Sequence, residues 1–133
     1  MNTTLMHDRK IVLSLLWVFV LMNMIYADIL NTLKPGYLNE LEFVGKNISG
    51  GTVLFFAFLM EIPIAMILLS RILNRKAIRI SNFIATPISI LWVIVPSIVM
   101  SNGNTTLSYF FFATVETVTM IFILVYCWKW KEE

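Results

Sequence analysis

Four apolar stretches, each about the length a helix needs to cross a bilayer core, dominate this chain. They run from Ile11 to Leu30, Thr52 to Leu73, Ile80 to Met100 and Leu107 to Trp128. Inside hydrocarbon every backbone amide and carbonyl must be satisfied within the segment, so each stretch is expected to be helical. The pattern predicts an all-α membrane protein, a four-transmembrane-helix antiparallel bundle. The connections are Asn31 to Gly51, Asn74 to Arg79 and the uncharged turn "SNGNTT". They leave no room for a soluble domain, so residues 1–133 read as a single domain. Composition agrees: 14% of residues are charged, against about 25% in a soluble domain.

Orientation follows from the basic residues. Arg9, Lys10, Arg71, Arg75, Lys76, Arg79, Lys129 and Lys131 fall on one side, against Lys34 and Lys46 on the other. Both termini are therefore expected in the cytoplasm. The first stretch is too long for the apolar h-region of a signal peptide and lacks a clear small-x-small cleavage site, so it is expected to be a helix. Trp128 and Trp130, interleaved with Lys129 and Lys131, read as interfacial anchors, whereas Trp17 and Trp92 lie deeper. After the Pro35-Gly36 turn, Tyr37, Leu38, Leu41 and Val44 recur at helical spacing, predicting a short external amphipathic helix. "GKNISGG" then reads as a flexible hinge into span two.

Several chemistries are excluded. The single cysteine, Cys127, cannot form an internal disulfide or a CxxC pair. The small net charge and the lack of a basic cluster on a soluble face argue against nucleic acid. The only histidine, His7, lies outside the spans, so no metal site and no cofactor is expected.

Three carboxylates fall in apolar surroundings: Asp28, Glu61 and Glu116. Glu61 is nine residues after Thr52 and Glu116 nine after Leu107, which puts both roughly 14 Å below the outer boundary. Asp28 lies near the outer end of span one. Residues at i±3, i±4 and i±7 share a helix face. Around Glu61 these are Leu54, Ala57, Phe58, Ile64, Ala65 and Leu68, and the small alanines suggest an inward, close-packed face. Around Glu116 they are Tyr109, Phe112, Ala113, Thr119, Met120 and Ile123. Span three has Asn82, Thr86, Ser89 and Ser97 on one stripe, and Pro63, Pro87 and Pro96 interrupt the helices. The expected lining of an outward-opening pocket is Glu61, Glu116 and Asp28, with Tyr26, Asn23, Tyr109, Trp92, Ser89 and Thr86 around them.

Magnitudes favour a function for these acids. An acid at a span centre costs about 2.5 to 3.5 kcal/mol on insertion scales. An interhelical hydrogen bond returns only about 0.6 kcal/mol. Glutamine or serine would join helices at lower cost.

The stretches "LWVFVLMNMIYADILNTLKPG", "LMEIPIAMILLSRILNRKAIRISNFIA" and "YFFFATVETVTMIFILVYCWKW" resemble a family of small four-span prokaryotic membrane proteins known as a domain of unknown function. Tyr26, Ala27, Asp28, Met60 to Met66 and Glu116 carry the resemblance, and the layout is similar to DoxX-like proteins. It implies a multi-pass protein of the prokaryotic inner membrane and brings no activity with it.

Three function classes then compete. The leading one binds or transports a small amphipathic or cationic ligand with protonation coupling, in contact with membrane lipid. Small multidrug exporters are similar in size, but their glutamate lies in the first span. The second is a membrane enzyme acting on a lipid or quinone, and four-helix sterol isomerases look broadly similar in layout. The third is a purely structural small membrane subunit. A homodimer is compatible with each, although no GxxxG is present.

Overall fold

A computed structural model describes residues 3–99 and 107–130. The described residues form five helices and no strand: α1 (Thr3–Asn31), α2 (Tyr37–Asn47), α3 (Gly50–Ile72), α4 (Arg75–Val99) and α5 (Leu107–Lys129). All but α2 are long and apolar enough to cross a membrane. The "SNGNTT" turn lies outside the described residues.

Helix ends follow local chemistry. Helix α1 begins at Thr3, well before the apolar stretch starts at Ile11, and ends in successive turns where Thr32, Leu33 and Lys34 amides bond to Ile29, Leu30 and Asn31 carbonyls. Gly36 then takes a left-handed φ of 81°, a backbone state that suits a residue without Cβ, and α2 starts at Tyr37. Ser49 caps α3 by accepting the Thr52 amide, and the Asn74 side chain accepts the Ala77 amide at the start of α4. The expected "GKNISGG" hinge is largely helical instead. Helix α2 continues through Gly45, Lys46 and Asn47, helped by an i,i+4 pair of Lys46 with Glu42 at 3.0 Å. Only Ile48 and Ser49 separate α2 from α3. No residue of α2 is buried, and its Leu38, Leu41, Phe43 and Val44 are all exposed.

The long helices close a ring of contacts, α1 on α3, α3 on α4, α4 on α5 and α5 on α1. Their buried positions alternate in steps of three and four. On α1 they include Leu13, Trp17, Val20, Met24, Ala27 and Asn31, with Ser14 buried beside Leu13; on α3 they are Pro63, Met66 and Ser70. On α4 they include Ile78, Asn82, Ala85, Ser89 and Val93, and on α5 Glu116, Met120, Ile123, Cys127 and then Trp130 just beyond its end. That spacing keeps one stripe of each helix facing its neighbours, as in coiled-coil packing.

Trp130 shows how this seam overrides composition. It was expected at the interface beside Trp128, yet it is fully buried because it extends the α5 stripe, and the Arg9 guanidinium lies 5.9 Å from its ring. Trp128, one position off the stripe at its tryptophan neighbour's other side, is exposed.

Polar ties join the helices. Trp17 Nε1 donates to Asn82 Oδ1 at 2.8 Å, and Ser14 Oγ donates to the Ile67 carbonyl at 3.0 Å. Asn82 in turn donates to the Ile78 carbonyl, so both ends of its amide are engaged. Replacing Trp17 by Phe would leave the buried Asn82 oxygen without a donor, at a cost of roughly 1–3 kcal/mol. We expect Trp17→Phe to lower the unfolding midpoint in detergent. Adding Asn82→Leu should cost less than the sum of the two single changes, a non-additivity that a double-mutant cycle measures.

Candidate functional site

Of the three acids, Glu116 alone is buried, at 3% exposure. It occupies the first buried position of the α5 stripe, one turn before Met120. Its Oε1 has no hydrogen-bond partner. The hydroxyls of Thr86 and Ser89, on the neighbouring α4 stripe, are also buried and unpartnered. These two were expected in the site from their helical spacing with Asn82, and all three face inward. The side chain of Ser97, the outermost member of that stripe, falls outside the described residues.

Glu61 does not point inward. It is exposed, and so are Leu54, Ala57, Phe58, Ile64 and Leu68 on its face, with Ala65 half-buried. The grouping of these residues on one face is right; the side of the helix they occupy is reversed. The buried stripe of α3 begins at Pro63, two residues and therefore about 200° around the helix from Glu61. Helices α3 and α5 are also not neighbours in the ring, so Glu61 and Glu116 do not meet across a shared helix contact.

Asp28 is exposed at the outer end of α1, beside the buried Ala27 and one turn before the buried Asn31. The Asp28 charge acts on Tyr37, just beyond the end of the first span. Tyr37, the first residue of α2, bonds to the Asn31 side chain. Asn31 and Tyr37 were not in the expected lining. Their signal was the Pro35-Gly36 turn, which folds Tyr37 back toward the end of α1.

The remaining expected residues are distributed differently. Tyr26 is 51% exposed, and Asn23 is half-buried with its amide turned back onto the Phe19 carbonyl at 2.8 Å. Tyr109 is half-buried on α5. Trp92 Nε1 donates to the Met60 sulfur at 2.9 Å, and its ring lies 5.3 Å from that of Phe56, forming an aromatic contact between α3 and α4. A separate groove of about 430 Å³ lies where Phe83, Pro87, Leu124, Val125, Trp128 and Lys129 meet on α4 and α5. It is almost wholly apolar and includes none of the expected site residues.

At the end of α5, Arg79 Nε donates to the Cys127 carbonyl at 3.0 Å, and the Arg9 guanidinium lies 5.0 Å from the Tyr126 ring. Both cations thereby close one end of the ring of helices with polar and cation–π contacts.

Four apolar helices around a buried carboxyl and two buried hydroxyls define a multi-pass membrane protein with a polar point in its core. The chain belongs to the DUF6326 family, a family of unknown function whose model matches residues 3–133. No curated protein and no solved structure matches it.

Partial burial, then the neighbouring Asp28 charge, push the Tyr37 phenol above the ordinary tyrosine range, outweighing its bond to Asn31. A raised value favours the neutral phenol, so the stability associated with it is present at neutral pH and lost as pH climbs through the folded titration point. The Tyr37 phenolate, isolated as the ultraviolet difference between wild type and Tyr37→Phe, should therefore titrate late. Asp28→Asn should move it to lower pH, but only part of the way, because burial is the larger cause.

Proposed function

We propose that this chain is a single-domain protein of a prokaryotic inner membrane that binds or transports a small amphipathic or cationic ligand in a protonation-dependent way, with Glu116 as the central group. The observation that carries this reading is the buried, unpartnered Glu116 oxygen on a helix packed against the equally unpartnered Thr86 and Ser89 hydroxyls. Buried polar atoms normally find partners, and an ionisable group inside a membrane bundle is by default a candidate functional group.

In this reading the neighbouring helices run in opposite directions, with both termini cytoplasmic. The two-residue break between α3 and α4 and the eight-to-two distribution of basic residues support that arrangement. The Arg79 bond to Cys127 then sets a level, and eleven residues outward along each helix come Ile90 and Glu116. Ser89 falls beside Glu116 and Thr86 about one turn deeper. A carboxyl with one hydroxyl beside it and a second about a turn deeper offers acceptors to an ammonium group or to a short run of waters. Asp28 and Tyr37 stand toward the outer face, on the route by which a cation or proton would arrive. Loss of a proton from Glu116 creates the negative charge that attracts the cation, and its return releases it.

Reconstituted vesicles carrying a pH-sensitive dye, with tetraphenylphosphonium as the cationic probe, test this. Wild type should couple probe movement or binding to pH. Glu116→Gln, with unchanged helical content, should reduce that response at least tenfold, and Thr86→Val with Ser89→Ala should weaken the probe's binding several-fold. Equal responses from wild type and Glu116→Gln, or none from wild type, would leave Glu116 as an interhelical contact only.

A further inference from the structure

The face of α3 that carries Glu61 is exposed and has no partner among the described residues. Helix α3 is the least enclosed of the four: 11% of its most apolar stretch is buried, against 28–33% in the others. From Gly50 to Phe58 no residue is even half-buried. Leu54, Ala57, Phe58, Glu61, Ile64 and Leu68 form one exposed stripe, roughly 21 Å long.

Lipid chains would cover the apolar members of this stripe well. They cannot serve Glu61, whose carboxyl needs both a donor and an acceptor away from water. Among the described residues no cation pairs with it. The nearest basic residue on α3 is Arg71, ten positions away, and the neighbouring helices carry no basic residue between Lys10 and Asn31 or between Arg79 and Val95. Snorkelling is also blocked by depth, because a glutamate side chain is short and Glu61 lies near the middle of its helix.

We propose that this stripe is the contact surface for a second copy of the chain, packed about a two-fold axis that passes beside Glu61. A two-fold contact brings the same residue from each copy together. Two carboxyl groups sharing protons are mutually complementary, since each donates one hydrogen bond and accepts another. A partner of a different sequence would have to bring a matching polar group to the same depth, whereas a second copy does so by symmetry. The stripe also permits the approach: Ala57 and Ala65 stand one turn on either side of Glu61, so the two backbones can come close around the acid pair. Phe58, Leu54 and Leu68 flank them and would pack across the axis. This surface is separate from the buried Glu116 group and does not depend on what that group binds.

Single-molecule photobleaching of the full chain in lipid vesicles, followed over a range of protein-to-lipid ratios, tests the proposal. Wild type should bleach in two steps. Glu61→Gln should remain dimeric, because paired amides also donate and accept. Glu61→Leu should raise the protein density needed for dimerisation at least tenfold. In a Cys127→Ala background, Ala57→Cys should form a disulfide-linked dimer on oxidation, whereas Phe111→Cys, exposed on α5, should not. Single-step bleaching of wild type at every density would overturn the proposal and leave lipid as the occupant. Unchanged dimerisation of Glu61→Leu, or cross-linking through Phe111→Cys in place of Ala57→Cys, would overturn it by moving the interface elsewhere.

Discussion

The hydrogen bond from the Trp17 indole to Asn82 ties α1 to α4 across the core on which the other helices pack. Between apolar helices in lipid there is little hydrophobic drive, since hydrocarbon tails are as apolar as leucine. What selects one packing over its rotated alternatives is therefore shape and the few polar groups that must find each other. Trp17 and Asn82 are both fully buried, and satisfying them sets the rotation of α1 and α4 together. Once that rotation is set, the three-and-four stripe carries Met24, Ala27 and Asn31 inward on one helix and Thr86, Ser89 and Val93 inward on the other.

The same constraint explains why the two mid-span glutamates have different surroundings. On α5 the stripe passes through Glu116, and on α3 it passes through Pro63, Met66 and Ser70, leaving Glu61 outside. One acid is enclosed in the core with an oxygen that has no partner; the other faces away from the core on the least enclosed helix. Equal depth along a helix does not imply a shared site. A buried acid in a bundle suits binding and proton exchange, whereas an outward acid suits contact between copies, because each environment asks for a different partner.

The limits of legibility are visible at particular residues. Asn82, Thr86 and Ser89 were readable as an inward stripe because α4 is polar on one side and apolar on the other. Glu61 was not, because α3 is apolar all round: its flanking alanines are compatible with a contact inside the bundle or outside it. Trp130 reads as an anchor from its lysine neighbours, and only its place on the α5 stripe makes it a core residue. Tyr37 joins the Asp28 group through a turn whose path depends on Gly36 adopting a left-handed conformation.

Length and hydropathy alone determined that this chain has four membrane-length helices, a short helix between the first two, and a glutamate within each of the second and fourth. Those properties are one-dimensional, since each depends on counting residues along a helix of known rise. The tertiary structure decided which side of each helix faces in. That choice is made by interlocking side chains and by the pairing of Trp17 with Asn82, and an evenly apolar helix carries no record of it.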